Sequence, residues 1–306
     1  MLSVIIPAYN EEKCIKRAYT EIQSLFTENH IESEFIFIDD GSSDNTYQAI
    51  SELSLEQDNI VGLHFSRNFG KESAISAGLA AASGKCAVVI DCDLQHPPEK
   101  IIEMYHLWEQ GYEIVEGVKK ERGVEKKTHQ IGSKFFYSLL SRIMGFDMEN
   151  SSDFKLLDRK VVDVINSMPE RGFFRAISYW VGYRKATVEF EVQQRVEGET
   201  KWSTAQLTKY AISNLSSYST APMQVVTILG VVMLIITAIF GVWALIDKIS
   251  GRALEGITTV IIITIFIGSI IMISLGIIGY YIARIYEEIK GRPKYIISAT
   301  VKSEKK

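Results

Sequence analysis

Four short runs of β-branched and aromatic residues, Val4–Ile6, Phe35–Ile38, Val61–Phe65 and Ala87–Ile90, mark the first part of the chain. Between them, stretches such as Glu12–Thr27 and Thr46–Leu55 carry apolar residues at helical spacing. The order is βαβαβαβ. Short, near-continuous apolar strands alternating with helices predict an α/β fold with a doubly wound, mostly parallel sheet. Ligands of such sheets bind beyond the carboxyl ends of the strands. Polar strings stand at those ends: Pro7-Ala-Tyr-Asn-Glu-Glu12, Asp39-Asp-Gly-Ser-Ser-Asp44, Ser66-Arg-Asn-Phe-Gly-Lys71 and Asp91-Cys-Asp-Leu-Gln-His-Pro-Pro-Glu99.

Farther along, the alternation gives way to two uncharged stretches, 223–246 and 257–283. A bilayer core about 30 Å thick needs ~20 apolar residues of helix, so both stretches are long enough to span it. The intervening 247–256 is too short for a domain, which predicts a hairpin with both long ends on one face. Arg284, Lys290, Arg292, Lys294, Lys302, Lys305 and Lys306 follow the second stretch, whereas the tip carries only Lys248 and Arg252. The excess of cations predicts that both termini and the large domain are cytoplasmic, in an integral protein of the plasma (inner) membrane. The opening Leu2–Pro7 reads as a first strand and not as a signal peptide. The expected organisation is a cytoplasmic domain over 1–202, a juxtamembrane amphipathic segment over 203–222, a transmembrane hairpin over 223–283 and a basic cytoplasmic tail over 284–306. Two amphipathic stretches, Gln130–Phe146 and Ser203–Ser219, would either lie at the membrane interface or pack on the sheet.

Composition narrows the function classes. Lys+Arg number 33 against 37 Asp+Glu, a net charge of −4, so the chain lacks the basic field of a nucleic-acid binder. Cys14, Cys86 and Cys92 are three, with no CxxC spacing, which argues against a disulfide framework or a zinc site and fits a reducing compartment. Glycines 230, 241, 268, 276 and 279 within the apolar stretches would permit close helix packing, and hence a homo-oligomer.

Any one polar string could simply cap a helix, as Asn10, Ser42 or Asp44 could. Four successive strand ends bearing acids, amides or bases instead suggest one polar crevice, because a cap needs one residue and not paired carboxylates. Asp91 and Asp93 would repel each other without a cation. A hard divalent ion, Mg²⁺ or Mn²⁺, takes oxygen ligands from one or two carboxylates plus a substrate's phosphates, which suits a nucleotide diphosphate.

Taken together with Asp153-Phe-Lys-Leu-Leu-Asp158, Arg195-Val-Glu-Gly-Glu-Thr-Lys-Trp202 and the two apolar stretches, these strings resemble family 2 glycosyltransferases of the GT-A fold. Within that family the chain is similar to polyprenyl-phosphate glycosyltransferases: bactoprenol glucosyltransferases and, more distantly, dolichol-phosphate-mannose synthases. The resemblance implies that Pro7, Tyr9, Asn10, Glu11, Asp39, Asp44, Arg67, Lys71 and Asp91 bind the nucleotide sugar. It implies that Asp91, Asp93 and Gln95 hold the metal, and that Asp93 and Asp153 are catalytic. Lys119, Arg122, Ser133, Arg195 and Lys201 would meet the acceptor or donor phosphates. Relatives place Arg where Lys119 stands, so Lys119, Lys120 and Arg122 compete for the acceptor role. His96 beside Pro97-Pro98 is assigned a structural part. For Asp153 the plainer roles, a helix cap or an ion pair with Lys155 or Arg159, stay open.

The activity implied is inverting transfer of a hexose from a nucleotide sugar, UDP-glucose or a related UDP-sugar, to polyprenyl (undecaprenyl) phosphate, with Mg²⁺ or Mn²⁺ as Lewis acid. It would serve cell-envelope glycosylation, and the resemblance suggests a tetramer. A lipid phosphate, with a second ionisation near pH 6 by analogy with phosphomonoesters, is already largely nucleophilic at neutral pH, so Asp153 would orient more than deprotonate. The competing expectations are a GDP-mannose transferase, a processive polysaccharide synthase, and a noncatalytic anchor that binds nucleotide sugars. A Gln-x-x-Arg-Trp string, which would mark the synthase, is absent.

Overall fold

The computed structural model describes residues 1–119, 152–168, 174–191 and 256–302, together with scattered positions between 228 and 250. It divides into two compact units, one of Met1–Thr204 with Pro293–Lys306 and one of Ala205–Arg292. The first unit carries β1 (Leu2–Ala8), α1 (Ile15–Glu28), β2 (Ser33–Asp39), α2 (Thr46–Glu56), β3 (Ile60–Phe65), α3 (Lys71–Ala81) and β4 (Cys86–Val89). These are followed by α4 (Lys100–Glu109), β5 (Ile114–Lys119), β6 (Lys155–Asp158), α5 (Arg159–Ser167), α6 (Phe174–Trp180) and β7 (Lys185–Phe190). The second unit contains α7 (Ile257–Ile289), after which β8 (Ile297–Lys302) belongs to the first unit again.

One eight-stranded sheet runs in the order β7-β5-β6-β4-β1-β2-β3-β8. β3, β2, β1 and β4 are mutually parallel, as the alternation of strands and helices predicts. β5 and β7 also pair parallel with each other and run the same way as β4, so the expectation of a mostly parallel sheet holds with two strands reversed. β6 lies antiparallel between β4 and β5, and β8 pairs antiparallel with β3, so the sheet is mixed. The chain order reverses at β1, whose neighbours are β2 and β4, and a crevice opens beyond the carboxyl ends at such a switch point. Pro7 sits here in the central strand. Ile90 donates to the Ile5 carbonyl at 3.1 Å, the last β4-side bond, so the missing N–H of Pro7 falls where β4 has already diverged.

Burial follows the two periods of the sequence. Ile15, Ala18, Tyr19, Ile22 and Phe26 line one face of α1 and pack on Phe35 and Phe37 of β2, with the Tyr19 ring edge-on to Phe35 at 4.9 Å. On the opposite face α3 comes close to the sheet. A Cβ on Gly78 would lie 2.3 Å from Ile5 Cγ2, so only glycine permits this approach.

One expectation about the carboxyl-terminal part needs correction. Residues 284–306 are not simply a tail: α7 continues to Ile289, and Ile297–Lys302 forms an edge strand of the large sheet. The cations of this segment drew attention away from the β-prone run Ile296–Val301. Gly62 of β3 provides the seat, since a Cβ there would lie 2.6 Å from Val301 Cγ2 and 2.5 Å from Ile50 Cγ2. Among the described residues, one helix is long and apolar enough to cross a membrane, with its candidate span at Phe266–Ala283. At ~1.5 Å per residue, the 33 residues of α7 extend about 50 Å. The other arm, 223–246, is described only at scattered helical positions, so the two-helix hairpin is not established by them. The stretches Gln130–Phe146 and Ser203–Ser219 lie outside the described residues, as does the segment 203–222.

Candidate active site

The loops after β1 and β2 are tied to each other, and the ties use the residues expected to bind the nucleoside. Asn10, at φ 56°, donates its N–H to Ser42 Oγ at 2.9 Å, and its Oδ1 accepts the Ser43 N–H at 2.9 Å. The Thr46 hydroxyl accepts the Glu11 N–H at 2.9 Å. Asp44 Oδ1 accepts the N–H of Thr46, the first residue of α2, at 3.1 Å, and Oδ2 accepts the Glu12 N–H at 3.4 Å. Asp44 thus caps α2, whereas Asn10 clamps one loop to the next. Asp39 is fully buried, accepting the Ser42 N–H at 3.0 Å and lying 2.6 Å from His64 Nδ1. Asp40 holds the β3–α3 loop by accepting the Phe69 and Gly70 N–H groups at 2.7 and 2.9 Å. Pro7 lies buried at the end of β1, Tyr9 is 48% exposed on the rim, and Arg67 sits over the Phe69 ring.

Beyond β4, exposure alternates. Asp91, Asp93 and Gln95 are half-buried, while Cys92, Leu94 and His96 point inward. A turn from Asp91 to Leu94, with Leu94 at φ 53°, and the Gln95 N–H on Asp93 Oδ1 at 3.1 Å set this arrangement. His96 stacks on Phe154 and meets Phe190 edge-on, both at 5.1 Å between centroids, and burial lowers its pKa so that the neutral imidazole is favoured. That is the structural part expected of it. Its Nδ1 lies 3.8 Å from Asp91 Oδ2 and has no hydrogen-bond partner among the described residues.

The chemical centre is a chain of alternating charges. Lys71, the first residue of α3, reaches Asp91 Oδ1 at 2.6 Å and Asp153 Oδ2 at 3.0 Å. Arg175 on α6 grips Asp153 with two bonds, Nε to Oδ1 at 2.7 Å and Nη2 to Oδ2 at 3.1 Å. Desolvation opposes the two carboxylates, yet their partners prevail. Desolvation raises the Asp153 and Asp91 carboxyls, but Lys71 outweighs it, with Arg175 helping at Asp153, so both end below the usual range. Asp91 and Asp153 likewise hold the Lys71 ammonium above the ordinary lysine value. Lys119, at the end of β5, is lowered by burial and by Arg175, while Asp153 and Asp91 draw it the other way. The described residues therefore bring together Lys71, Asp91, Lys119 and Asp153. Arg122, Ser133, Arg195 and Lys201 lie outside them.

The hydrogen bonds of Lys155 and Arg159 go to groups other than Asp153 among the described residues. Lys155 is buried against Glu116 at 3.0 Å and donates to Ser178 Oγ at 2.8 Å, and Arg159 donates to the Ala82 and Gly84 carbonyls. No sequence motif marks Arg175 or Glu72.

Glu72 accepts the Phe174 N–H at 2.8 Å, so α3 holds the start of the helix that bears Arg175. Burial and the Asp153 carboxylate push the Glu72 carboxyl from 4.5 up to about 7, against the pull of the Phe174 N–H, Lys71 and Arg175. A carboxyl raised on folding binds its proton more tightly in the native state. Its contribution to stability is complete below about 4.5 and is lost as pH rises through about 7, with each pKa unit worth about 1.4 kcal/mol. Glu72→Gln keeps an oxygen for the Phe174 N–H and should flatten the fall in melting temperature across that window. An unchanged fall in the variant, followed by thermal melts from pH 4.5 to 8, would assign the slope to other groups.

The donor set at Asp91, Asp93 and Gln95 is all oxygen, which fits a hard cation. Among the described residues no three His, Cys, Asp or Glu side chains form a group that could hold a metal ion by themselves.

The chain is a glycosyltransferase. It belongs to glycosyl transferase family 2, whose pattern matches residues 3–165. It is 36% identical over 304 residues to the prophage bactoprenol glucosyl transferase homolog of Escherichia coli (strain K12), covering 98% of this chain and 99% of that one. It is also 36% identical over 299 residues to the bactoprenol glucosyl transferase of Shigella phage SfII, covering 97% of each. Among solved structures it is similar to glucosyl-3-phosphoglycerate synthase from Mycobacterium tuberculosis in complex with Mn²⁺, uridine diphosphate and glucosyl-3-phosphoglycerate. That likeness has a TM-score of 0.52 at 21% identity, covers 72% of this chain and 80% of that one, and bears on the fold.

Proposed function

We propose that this chain transfers a hexose, with glucose the first choice, from a UDP-sugar to polyprenyl phosphate with inversion at the anomeric carbon. The observation that carries the choice of acceptor is the state of Asp153. Both of its oxygens are committed to Arg175 and Lys71, and its pKa is held below the usual range, so it is a poor base. A sugar hydroxyl acceptor would need a base. A phosphate with a second ionisation near pH 6 does not, because it is ionised at neutral pH. The full-length relatives named for bactoprenol fit the same acceptor.

In this reading Asp153 fixes Lys71 and Arg175 where anionic substrates meet, and the pre-set cations offset the charge gathering on the leaving diphosphate. A phosphate oxygen forms the new bond to the anomeric carbon as the bond to the nucleoside diphosphate breaks, and the diphosphate leaves with the electron pair. Asp91, Asp93 and Gln95 would hold Mg²⁺ or Mn²⁺, which supplies Lewis-acid stabilisation of that leaving group. The loops clamped through Asn10, Asp44 and Thr46 would cradle the nucleoside.

The topology proposed is a membrane hairpin with the catalytic domain and both ends cytoplasmic. Strand order supports it: the chain leaves the first unit at Thr204 and rejoins the same sheet as β8, so any crossings between must be even in number. If α7 spans once, a second crossing is required, and 223–246 is the apolar stretch available for it. Oligomerisation, with a tetramer as the first expectation, is part of the same proposal.

The test is transfer of radiolabel from a panel of sugar nucleotides into organic-extractable lipid by purified protein with undecaprenyl phosphate and Mg²⁺ or Mn²⁺, with no-lipid and chelator controls. Label in lipid from UDP-glucose is expected, and label only from GDP-mannose would replace the donor. No label from any donor by folded protein would overturn the reading in favour of a nucleotide-sugar-binding anchor, and nucleotide release without lipid would indicate hydrolysis.

A further inference from the structure

The segment that follows the long apolar helix is built against the loop that delivers Lys71. α7 ends before Gly291, at φ 58°, and Pro293 prevents its resumption. The next residues fold onto the end of β3. The Tyr295 ring stacks on Phe65 at 5.1 Å and 9° between planes, and Phe65 in turn meets Phe69 edge-on at 5.8 Å. The Ile296 carbonyl accepts the Ser66 N–H at 3.0 Å, and the Lys294 carbonyl accepts the Ser73 hydroxyl at 3.3 Å. Ser66 opens the β3–α3 loop, and Ser73 lies in the first turn of α3, with Lys71 between them. On its other side the loop is held by Asp40 through the Phe69 and Gly70 N–H groups. Gly41, at φ 66°, lets the β2–α2 loop come in beside it, because a Cβ there would lie 2.3 Å from the Arg67 backbone carbon.

We infer that Lys294–Ile296 is a positioning element of the donor site, with Tyr295 its principal side chain: it holds the β3–α3 loop against Asp40 and thereby sets Lys71 between Asp91 and Asp153. The inference rests on the reading of Lys71 as a cation of the donor site. A loop supported from one side by Asp40 alone would let the ammonium drift, and a misplacement of about 1 Å at a reacting centre costs on the order of 100-fold in rate. The segment that leads into β8 thus completes the catalytic unit.

The test compares full-length wild type with Tyr295→Phe, Tyr295→Leu, Tyr295→Ala and Val301→Ala, using UDP affinity in the presence of Mn²⁺, amide hydrogen exchange over Ser66–Ser73, and label transfer. Val301 lies on β8, just after this segment, but packs toward Gly62 and Ile50. Tyr295→Phe should match wild type, because the stack uses the ring. Tyr295→Ala, and Tyr295→Leu to a smaller degree, should lose UDP affinity or turnover by on the order of 10- to 100-fold and speed exchange in the loop. Val301→Ala should do neither. If Tyr295→Ala does not fold, Tyr295→Leu decides alone, since it keeps apolar volume but not the stack. Wild-type exchange and affinity in the Tyr295→Leu variant, or equal losses in Val301→Ala, would overturn the inference. A wild type that binds UDP yet labels no lipid would sink the acceptor assignment instead, leaving the affinity and exchange arms to decide this one.

Discussion

Replacing Asp153 by Asn is expected to lower transfer to polyprenyl phosphate by on the order of 100- to 1,000-fold while UDP affinity stays within a few-fold of wild type. The carboxylate is buried and receives three bonds, two from Arg175 and one from Lys71. An amide of the same shape has one acceptor oxygen, and its NH₂ would face a cation where a lone pair stood. The fork of Arg175 is broken, and Lys71 is left with Asp91 alone. Removing one member of a buried charge network also costs about 3–5 kcal/mol of stability, so the variant must be shown to be folded before its turnover is read. The loops proposed to cradle the nucleoside make no use of Asp153, and Asp91 still holds Lys71 at 2.6 Å, so donor binding should survive. The pH dependence separates the two roles of this acid. As a positioning group already ionised throughout, it predicts a wild-type rate that rises with the second phosphate ionisation near pH 6 and then levels. Transfer within three-fold of wild type in the Asn variant would remove Asp153 from the site.

The role of Asp153 also marks where the sequence stops being legible. β1 to β4 are readable because each is a short run of β-branched or aromatic residues followed by a polar string, and both features are local. Asp153 was recognisable as an acid of interest, but its partner was not. Neighbours in sequence, Lys155 and Arg159, were the natural candidates. β6 runs antiparallel to β4, however, pairing Lys155 with Val89 and Asp158 with Cys86. The beginning of β6 is therefore beside Asp91, and its end is at the opposite edge, where Arg159 ties down Ala82 and Gly84. Lys155, alternating to a buried position, is spent on Glu116. The cation that does reach Asp153 comes from α6, a helix with no motif, across a contact that no periodicity encodes. β8 was missed for a related reason. Its charges suggested a solvated tail, and only the vacancy above Gly62 shows where Val301 belongs.

Asp93→Asn is expected to remove metal-stimulated transfer, again by on the order of 100-fold or more, and to weaken the response to Mn²⁺ with little cost in stability. The contrast with Asp153 follows from their surroundings. Asp153 is buried and fully paired, whereas Asp93 is half-buried and accepts the Gln95 N–H, a bond an amide oxygen can also accept. The Asx turn that presents residues 91, 93 and 95 on one side should therefore persist. What is lost is one negative charge from an all-oxygen donor set, and a hard divalent cation depends on that charge more than on shape. Asp91 is less informative as a first choice, because Lys71 is bonded to it at 2.6 Å and its loss would disturb Lys71 and Asp153 together. The measurement is Mn²⁺ titration of UDP binding by calorimetry beside Mn²⁺ titration of label transfer. A wild-type Mn²⁺ dependence in both for the Asn variant would put the metal elsewhere. A selective loss of the Mn²⁺-dependent part would place Asp93 on the ion while leaving the acceptor side, built on Asp153 and Arg175, to be judged by its own variant.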